Sequence, residues 1–340
     1  MGSGEPDGES GVPVHTYRLT QTPRGAGGGG WAFERDGVVR LETPDLARAA
    51  HELVWQLGAD ALSELDSVAL HAGVLYRNGE ALLLPAPSGS GKSTLVAALV
   101  QRGWTYGSDE GALVLADAAR SSPGTWVLAE GFPRPICLDR GACAALGGID
   151  ALLPPDLQAL GLAEAHFPPA RLAAGGEALP AGAPAGAAPG ATSLDDPVQP
   201  DRPGSVVPPG AGLPVALVVF PRYAPEPPPT APATLEPTAP GPTPPAAPEP
   251  TPPGAAAGVR SGDGWVATPL RPALALLELV TNCFNLARFG AEGLEALAEV
   301  ARTAPAYRLT HAGVDPAVEA IEALWAARTA TSAGPSPADP

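Results

Sequence analysis

The stretch that decides the fold of this chain reads Leu84-Pro85-Ala86-Pro87-Ser88-Gly89-Ser90-Gly91-Lys92-Ser93-Thr94. An apolar strand pattern precedes it and a helical pattern follows, which is the setting that a phosphate-binding loop requires. Gly89 and Gly91 let successive backbone N–H groups turn inward around an anion, and the helix N-terminus adds partial positive charge. Lys92 can place its ammonium against β- and γ-phosphates, and the Ser93 hydroxyl can bind Mg²⁺. The stretch therefore predicts a nucleotide site, with a loop that merely caps a helix as the alternative.

Lys92 stands out in composition as well as in context. Of the 20 basic residues it is the only lysine, and all the others are arginines. A chain that uses Arg for its general surface charge but Lys at this position indicates a specific use of that ammonium. Ala86 stands where such loops often begin with Gly, a departure that leaves the rest of the pattern intact.

The overall charge restricts the partners. With 36 acidic residues against 20 basic ones the formal charge is −16, so general binding to nucleic acid or to an anionic membrane is disfavoured. No apolar run approaches the roughly 18 residues of a membrane span. The first ten residues lack a basic segment followed by an apolar one, so we expect no secretory signal and a cytoplasmic location. Cys137, Cys143 and Cys283 are odd in number and lack metal-ligand spacing, which predicts free thiols.

Composition also divides the chain. Gly and Pro contribute 41 and 44 of the 340 residues, and they concentrate in tracts that cannot bury enough apolar surface to offset chain entropy. The predicted organisation follows from these tracts: a flexible leader (1–30), a core (31–170), a low-complexity insertion (173–211), a core strand (212–223), a Pro-rich insertion (224–262), a helical part of the same domain (265–330) and a disordered tail (331–340).

Apolar periodicity within the core predicts an α/β fold. Helical spacing is found in four stretches: 44–65, 93–102, 269–298 and 314–330. Strand patterns are found in others: a hairpin over 31–40, a hairpin over 67–84 that turns at Asn78-Gly79, and strands at 112–115, 126–128 and 214–220, with a turn at 121–124.

Acidic residues and a histidine flank the loop at intervals that permit a shared site. Asp109 and Glu110 come 17 and 18 residues after Lys92, and a helix followed by a return strand of that length can bring them back beside the loop. Two adjacent carboxylates there could divide proton acceptance and metal binding. An exposed acidic turn is the alternative. Asp117, at the end of an apolar strand pattern, is a rival metal ligand, and the start of a hairpin turn is the favoured alternative for it. His71 lies on the strand paired with the one that feeds the loop.

These segments together resemble the catalytic domain of HPr kinase/phosphorylase, which phosphorylates a serine of a phosphocarrier protein. The resemblance rests on His71-Ala-Gly-Val-Leu, Pro87-Ser-Gly-Ser-Gly-Lys-Ser-Thr-Leu95, Arg102-Gly-Trp104 and Ser108-Asp-Glu110. Later segments are similar to those of the shorter bacterial group called HprK-related kinase A: Phe132-Pro-Arg-Pro-Ile136, Val219-Phe-Pro-Arg-Tyr223 and Ala304-Pro-Ala-Tyr-Arg-Leu309. The likeness covers roughly 45–140, 212–223 and 265–330.

The resemblance implies a P-loop core of the HPr-kinase and carboxykinase type, a mixed sheet with flanking helices, and ATP with Mg²⁺ as cofactors. It makes Asp109 the base for the acceptor hydroxyl, and it places His71 beside the γ-phosphate and Lys92 on the phosphates. The nucleotide would also contact the loop residues Ala86, Pro87, Ser88, Gly89, Ser90, Gly91, Ser93 and Thr94. Arg134 and Arg222 would neutralise phosphoryl charge, and each could instead be a surface arginine. Ser93, Glu110 and, at a different interval from the family, Glu130 would bind Mg²⁺.

The implied acceptor is a protein or peptide. Relatives in this group occur beside a small peptide-chaperone protein, and full HPr kinases are homo-oligomers, so both are expectations carried by the resemblance. Because the segment before His71 is short, we expect no regulatory N-terminal domain of the kind found in full HPr kinases. Ala/Pro-rich insertions stand where the resemblance leads us to expect acceptor contacts. The competing functions are a transporter ATPase, which the lack of a Leu-Ser-Gly-Gly-Gln signature disfavours, a small-metabolite kinase, and a nucleotide sensor.

Overall fold

The structure is a computed structural model, and it describes residues 15–25, 28–115, 128–132, 134–153, 158, 164–173, 212–225 and 260–332. Several predictions lie outside these residues: the rival ligand Asp117, the turn at 121–124, and most of the two insertions and the tail. The described chain divides into two units, Met1–Ala61 with Leu162–Glu164, and Leu62–Gly161 with Ala165–Pro340. None of the helices in the described residues combines the length and apolarity that crossing a membrane requires.

The secondary structure mixes helices and strands, as the periodicity predicts. The strands are β1 (Tyr17–Gly25), β2 (Gly28–Arg35), β3 (Val38–Thr43), β4 (Val68–Arg77), β5 (Glu80–Pro85), β6 (Thr105–Ser108), β7 (Gly111–Leu115), β8 (Leu128–Gly131), β9 (Ile136–Asp139), β10 (Glu164–Phe167), β11 (Leu213–Tyr223), β12 (Arg260–Gly262), β13 (Trp265–Leu270) and β14 (Ala306–His311). The helices are α1 (Leu46–Glu64), α2 (Lys92–Gln101), α3 (Arg140–Ala145), α4 (Pro169–Ala173), α5 (Pro272–Thr281), α6 (Leu286–Thr303) and α7 (Val314–Ser332).

The first unit contains a three-stranded antiparallel sheet, β1-β2-β3, and most of α1. Asp60 accepts two hydrogen bonds from the Arg35 guanidinium, at 2.8 and 2.9 Å, and one from the Tyr17 hydroxyl at 2.6 Å. Residues 17–25 and 28–30 therefore do not belong to a flexible leader, contrary to the prediction for 1–30. The leader prediction fails there because β1 obtains its hydrogen-bond partners from β2, with Tyr17 opposite Arg35 and Gln21 opposite Trp31.

A nine-stranded mixed sheet dominates the second unit. Its order is β12-β13-β14-β11-β5-β4-β7-β8, with β6 also on β4 and the start of β11 paired back to β8. The β4-β5 hairpin turns at Asn78-Gly79, whose φ angles of 54° and 73° are those that a tight hairpin turn demands. β11 runs parallel to β5 and to β14, so the loop that follows β5 leaves the sheet at the edge where β11 and β14 also end.

Helices cover both faces of this sheet. Alternate residues of β5 point to opposite sides: Leu82 and Leu84 pack in the core beneath α2 and α7, while Leu83 packs in the core beneath α5 and α6. A strand whose side chains are apolar on both faces belongs in the middle of a sheet that helices cover on both sides. Burying each leucine stabilises the fold by about 1.5–3 kcal/mol. The α/β prediction, with a mixed sheet and flanking helices, is confirmed.

The helix predicted over 269–298 is wrong in its middle. α5 ends at Thr281 and α6 begins at Leu286, and the segment between them, 282–285, runs along β4 instead. The His71 N–H donates to the Asn282 carbonyl at 2.7 Å, and the Phe284 N–H donates to the Ala69 carbonyl at 2.8 Å. Apolar spacing continues through both helices and conceals this break, because backbone pairing with a strand more than 200 positions earlier has no local signal. The predicted Pro-rich insertion also ends earlier than expected, at β12.

Candidate functional site

The loop between β5 and α2 has the backbone that its glycines predict. Gly89 and Gly91 adopt φ angles of 77° and 84°, the left-handed region that side chains disfavour. Gly91 is the N-cap of α2, with no side-chain cap for the helix among the described residues. A Cβ atom added to either glycine would meet nothing within 4 Å. Open space in front of uncapped helix N–H groups is where an anion binds.

Lys92 lies at the first position of α2, yet only 4% of it is exposed. Its Nζ donates a hydrogen bond to the main-chain carbonyl of Asp109. Burial lowers the pKa of the ammonium, and the charges of Glu110 and Asp109 oppose that shift. The structure therefore brings together the lysine of the loop and the acidic turn that follows it along the chain.

The Ser108 side chain shapes the turn that carries the two acidic residues. Its hydroxyl accepts hydrogen bonds from the N–H groups of Glu110 at 3.2 Å and Gly111 at 3.0 Å, and it donates to the Phe132 carbonyl at 2.9 Å. A serine that satisfies the N–H groups following it is a typical way to fix a tight turn. This turn joins β6 to β7 and directs Asp109 and Glu110 to the end of α2 that bears Lys92.

Asp109 is completely buried, at 0% exposure. Its Oδ1 accepts a hydrogen bond from the Tyr106 hydroxyl at 3.0 Å, whereas Oδ2 has no hydrogen-bond partner among the described residues. Burial raises the pKa of this carboxyl, helped by the charge of Glu110. The charges of Lys92 and Arg134 and the nearby Ser93 hydroxyl oppose this rise in pKa. The Ser93 hydroxyl lies close to the carboxyl but outside hydrogen-bonding geometry with Oδ2. A carboxyl with a raised pKa and a free oxygen is suited to accept a proton.

Glu110 is held from both sides. Its Oε2 lies 3.2 Å from His71 Nε2, and its Oε1 lies 2.9 Å from Arg134 Nη2. Burial acts to raise the pKa of this carboxyl, but the hydrogen bond from His71 and the charges of Lys92 and Arg134 outweigh it and lower the pKa to about 2. Glu110 therefore stays ionised at neutral pH, as a carboxylate ligand for a hard cation must.

Three buried polar atoms of the predicted site have no hydrogen-bond partner among the described residues: Ser90 Oγ, Asp109 Oδ2 and Arg134 Nε. Leaving such an atom unsatisfied costs about 1–3 kcal/mol, so each is an unusual feature that a ligand could relieve. Arg134 and Lys92 supply donors for phosphate oxygens, and Ser93 and Glu110 supply the oxygen ligands that Mg²⁺ prefers. The residues present thus fit a nucleotide polyphosphate with its cation.

Two further predicted residues, Arg222 and Glu130, are placed by their strands. Arg222, near the end of β11, is 57% exposed and forms an ion pair with Glu278 at 3.3 Å. It does share the sheet edge from which the loop after β5 departs. Glu130 lies in β8 opposite Leu113 of β7, and its role as a metal ligand stays a prediction.

Sequence reasoning missed Tyr106 and the segment 282–285. Tyr106 is completely buried and bonds to Asp109, three residues ahead of it on the chain. Phe284 packs its ring 5.5 Å from that of His71, and Asn285 holds the segment to the strand by accepting from the Ala69 N–H at 2.9 Å. Asn282 and Asn285 lower the helix propensity of this segment and so favour a break in the helix, but nothing local indicates that the segment pairs with β4.

The site therefore unites His71, Lys92, Asp109, Glu110 and Arg134 around the loop after β5. No protein family, curated protein or solved structure matches this chain.

Proposed function

We propose that this chain is an ATP- and Mg²⁺-dependent kinase, with a P-loop core of the HPr-kinase type, that transfers the γ-phosphate to a hydroxyl of a small protein or peptide. Serine is the expected acceptor residue. The observation that carries the proposal is the contact between Lys92 of the loop and the main chain of Asp109, because it joins a phosphate-binding element to a buried carboxyl.

Binding would rest on the loop and on two cations. The N–H groups of the loop and the Lys92 ammonium would hold the phosphates, except that the Ser90 N–H already donates to the Pro87 carbonyl at 3.3 Å. Arg134 would neutralise charge on the transferred group. Ser93 and Glu110 would hold Mg²⁺, which when bound offsets the negative charge of the β- and γ-phosphates. This local arrangement allows nucleotide binding in a chain whose formal charge is −16.

Asp109 would act as the general base. The acceptor hydroxyl gives its proton to this carboxylate, its oxygen forms a bond to the γ-phosphorus, and the bond from that phosphorus to the β–γ bridging oxygen breaks to release ADP. A carboxyl whose pKa is raised by burial accepts a proton more readily than an exposed one. His71 would keep Glu110 oriented through its hydrogen bond, beside the acceptor region.

The test is Asp109→Asn, which preserves shape but removes the base. We expect Mg-ATP affinity, measured by calorimetry, to stay within about threefold, while transfer of label from the γ-phosphate of ATP to a host peptide fraction falls by roughly 10²–10⁴-fold. Asp139→Asn is the matched control, because Asp139 only caps α3 by accepting from the Ala142 N–H, a role that Asn performs equally well.

Two results would contradict the proposal. One is transfer by Asp109→Asn at the rate of the unmodified protein, because a protein that does not use Asp109 as a base is indifferent to its loss. The other is failure of the unmodified protein to bind Mg-ATP at millimolar concentration.

ATP hydrolysis is the second candidate, favoured by the complete burial of Asp109. Water can reach such a carboxyl with less movement of the surrounding chain than a serine side chain needs. The two reactions separate by where the label appears: in protein or peptide for the kinase, and only as free phosphate for the hydrolase.

A further inference from the structure

Tyr106 is the buried group that contacts the proposed base most directly. It lies in β6, has no exposed surface, and its hydroxyl is 3.0 Å from Asp109 Oδ1 and 2.8 Å from the Arg134 carbonyl oxygen. The roles assigned above to the loop, the cations and Asp109 leave this hydroxyl unused.

The tyrosine hydroxyl has one proton but two acceptors in range. A hydrogen bond to an ionised carboxylate is roughly twice as strong as one to a neutral carbonyl, so the proton goes to Asp109 Oδ1 while Asp109 is charged. One carboxylate oxygen is then engaged, and the other, Oδ2, keeps its lone pairs free. The Ser108 hydroxyl holds the turn at 108–111 and β6 is paired with β4, so the backbone at Asp109 is fixed in place. The carboxylate oxygen that faces Tyr106 is therefore the engaged one, and the other oxygen is the one left free.

We propose that Tyr106 is a positioning residue that engages Asp109 Oδ1 and thereby leaves Oδ2 as the atom that takes the acceptor proton. The proposal rests on the proposed function, because it assigns an atom and a supporting residue to that same proton transfer. Tyr106 itself gives up no proton in the reaction, and it touches neither nucleotide nor acceptor.

The first test is Tyr106→Phe, with Tyr76→Phe as a matched control. Tyr76 is an equally buried tyrosine on the neighbouring strand β4, opposite Thr105, and its hydroxyl accepts from the Gly131 N–H at 2.9 Å. Both variants lose one buried hydroxyl. We expect Tyr106→Phe to lower kcat for label transfer from ATP by at least about tenfold with KM for ATP unchanged, since misplacing a catalytic group costs turnover rather than binding. Tyr76→Phe should keep both constants.

The second test combines Tyr106→Phe, and separately Tyr76→Phe, with Asp109→Asn in double variants. If Tyr106 acts through Asp109, Tyr106→Phe has no further effect on the residual rate of Asp109→Asn. A further loss as large as in the unmodified protein would overturn the proposal, as would equal kcat losses in Tyr106→Phe and Tyr76→Phe. If Asp109→Asn itself transfers label normally, the proposed function fails instead, so the two failures are distinguishable.

A third measurement needs no change at Tyr106. The hydroxyl proton resonance of Tyr106, assigned by selective tyrosine labelling, should move upfield in Asp109→Asn, because a neutral amide oxygen is a weaker acceptor than a carboxylate. The corresponding resonance of Tyr76 should not move. An unchanged Tyr106 resonance would show that its proton does not bond to Asp109, and the proposal would be wrong.

Discussion

Replacing single glycines at the two ends of α2 offers a sharp test of the phosphate loop. Gly91 precedes the helix with φ 84°, and Gly103 follows it with φ 87°. A Cβ atom at either position would meet nothing within 4 Å, so neither change to alanine causes a clash. The two substitutions therefore impose the same backbone cost, and they differ only in lying inside or outside the proposed nucleotide site.

The expected magnitudes follow from that similarity. Holding alanine in the left-handed region costs about 1–2 kcal/mol, so both variants should lose that much stability without nucleotide. Only Gly91→Ala places a methyl group in the open space of the loop, where the proposed phosphates would lie. We expect its affinity for Mg-ATP to fall at least about tenfold, or 1.4 kcal/mol.

Thermal unfolding with and without Mg-ATP measures both effects in one experiment. At a nucleotide concentration of about 100 times the Kd, the unmodified protein and Gly103→Ala should each gain about 2.7 kcal/mol, whereas a tenfold weaker binder gains about 1.4 kcal/mol. Each kcal/mol corresponds to a shift of about 2–4 °C in Tm for a domain of this class. Equal nucleotide gains in Gly91→Ala and Gly103→Ala would refute the assignment of this loop as the phosphate site.

Two further changes test the packing that holds the site. Gly131→Ala would place a Cβ atom 2.4–2.7 Å from the backbone of Gly107, which cannot move aside as a flexible side chain could. We therefore expect a loss of about 3 kcal/mol in urea unfolding, the upper end of the usual cost of overpacking, and full stability would contradict the close approach of β6 and β8. Asn285→Ala removes the acceptor of the buried Ala69 N–H, and we expect a loss of about 1–3 kcal/mol with amide exchange accelerated at Ala69. Unchanged exchange at that amide would mean that Asn285 does not hold this segment to β4.

Positive and negative side chains are nearly balanced around Glu110. Lys92 and Arg134 provide two cations against one carboxylate that is ionised at neutral pH, together with Asp109, whose pKa burial raises. Both oxygens of Glu110 already contact cationic or hydrogen-bonding groups, His71 on one side and Arg134 on the other. Mg²⁺ at Glu110 would therefore share the carboxylate with Arg134, and the phosphates would supply the compensating negative charge.

The local parts of this site could be predicted from the sequence. Glycines that need positive φ, a turn at Asn78-Gly79, and an apolar strand leading into a helix are all decided by residues a few positions apart, so the loop after β5 follows from local chemistry. The position of His71 beside that loop follows too, since a tight hairpin turn sets the register of β4 against β5. Even the return of Asp109 toward Lys92 could be expected, because one helix of known length separates them.

Long-range pairing decided the rest, and no local signal reports it. Tyr106 could be identified as a partner of Asp109 only once β6 had its place against β4. Arg134 forms an ion pair with Glu110, which lies more than twenty positions earlier in the sequence, and part of the intervening chain lies outside the described residues. The segment 282–285 joins β4 across more than 200 positions, interrupting a helix that its own apolar spacing supports. Local propensity is a property of neighbours along the chain, whereas these contacts form because burial and backbone hydrogen bonding in the assembled sheet outweigh it.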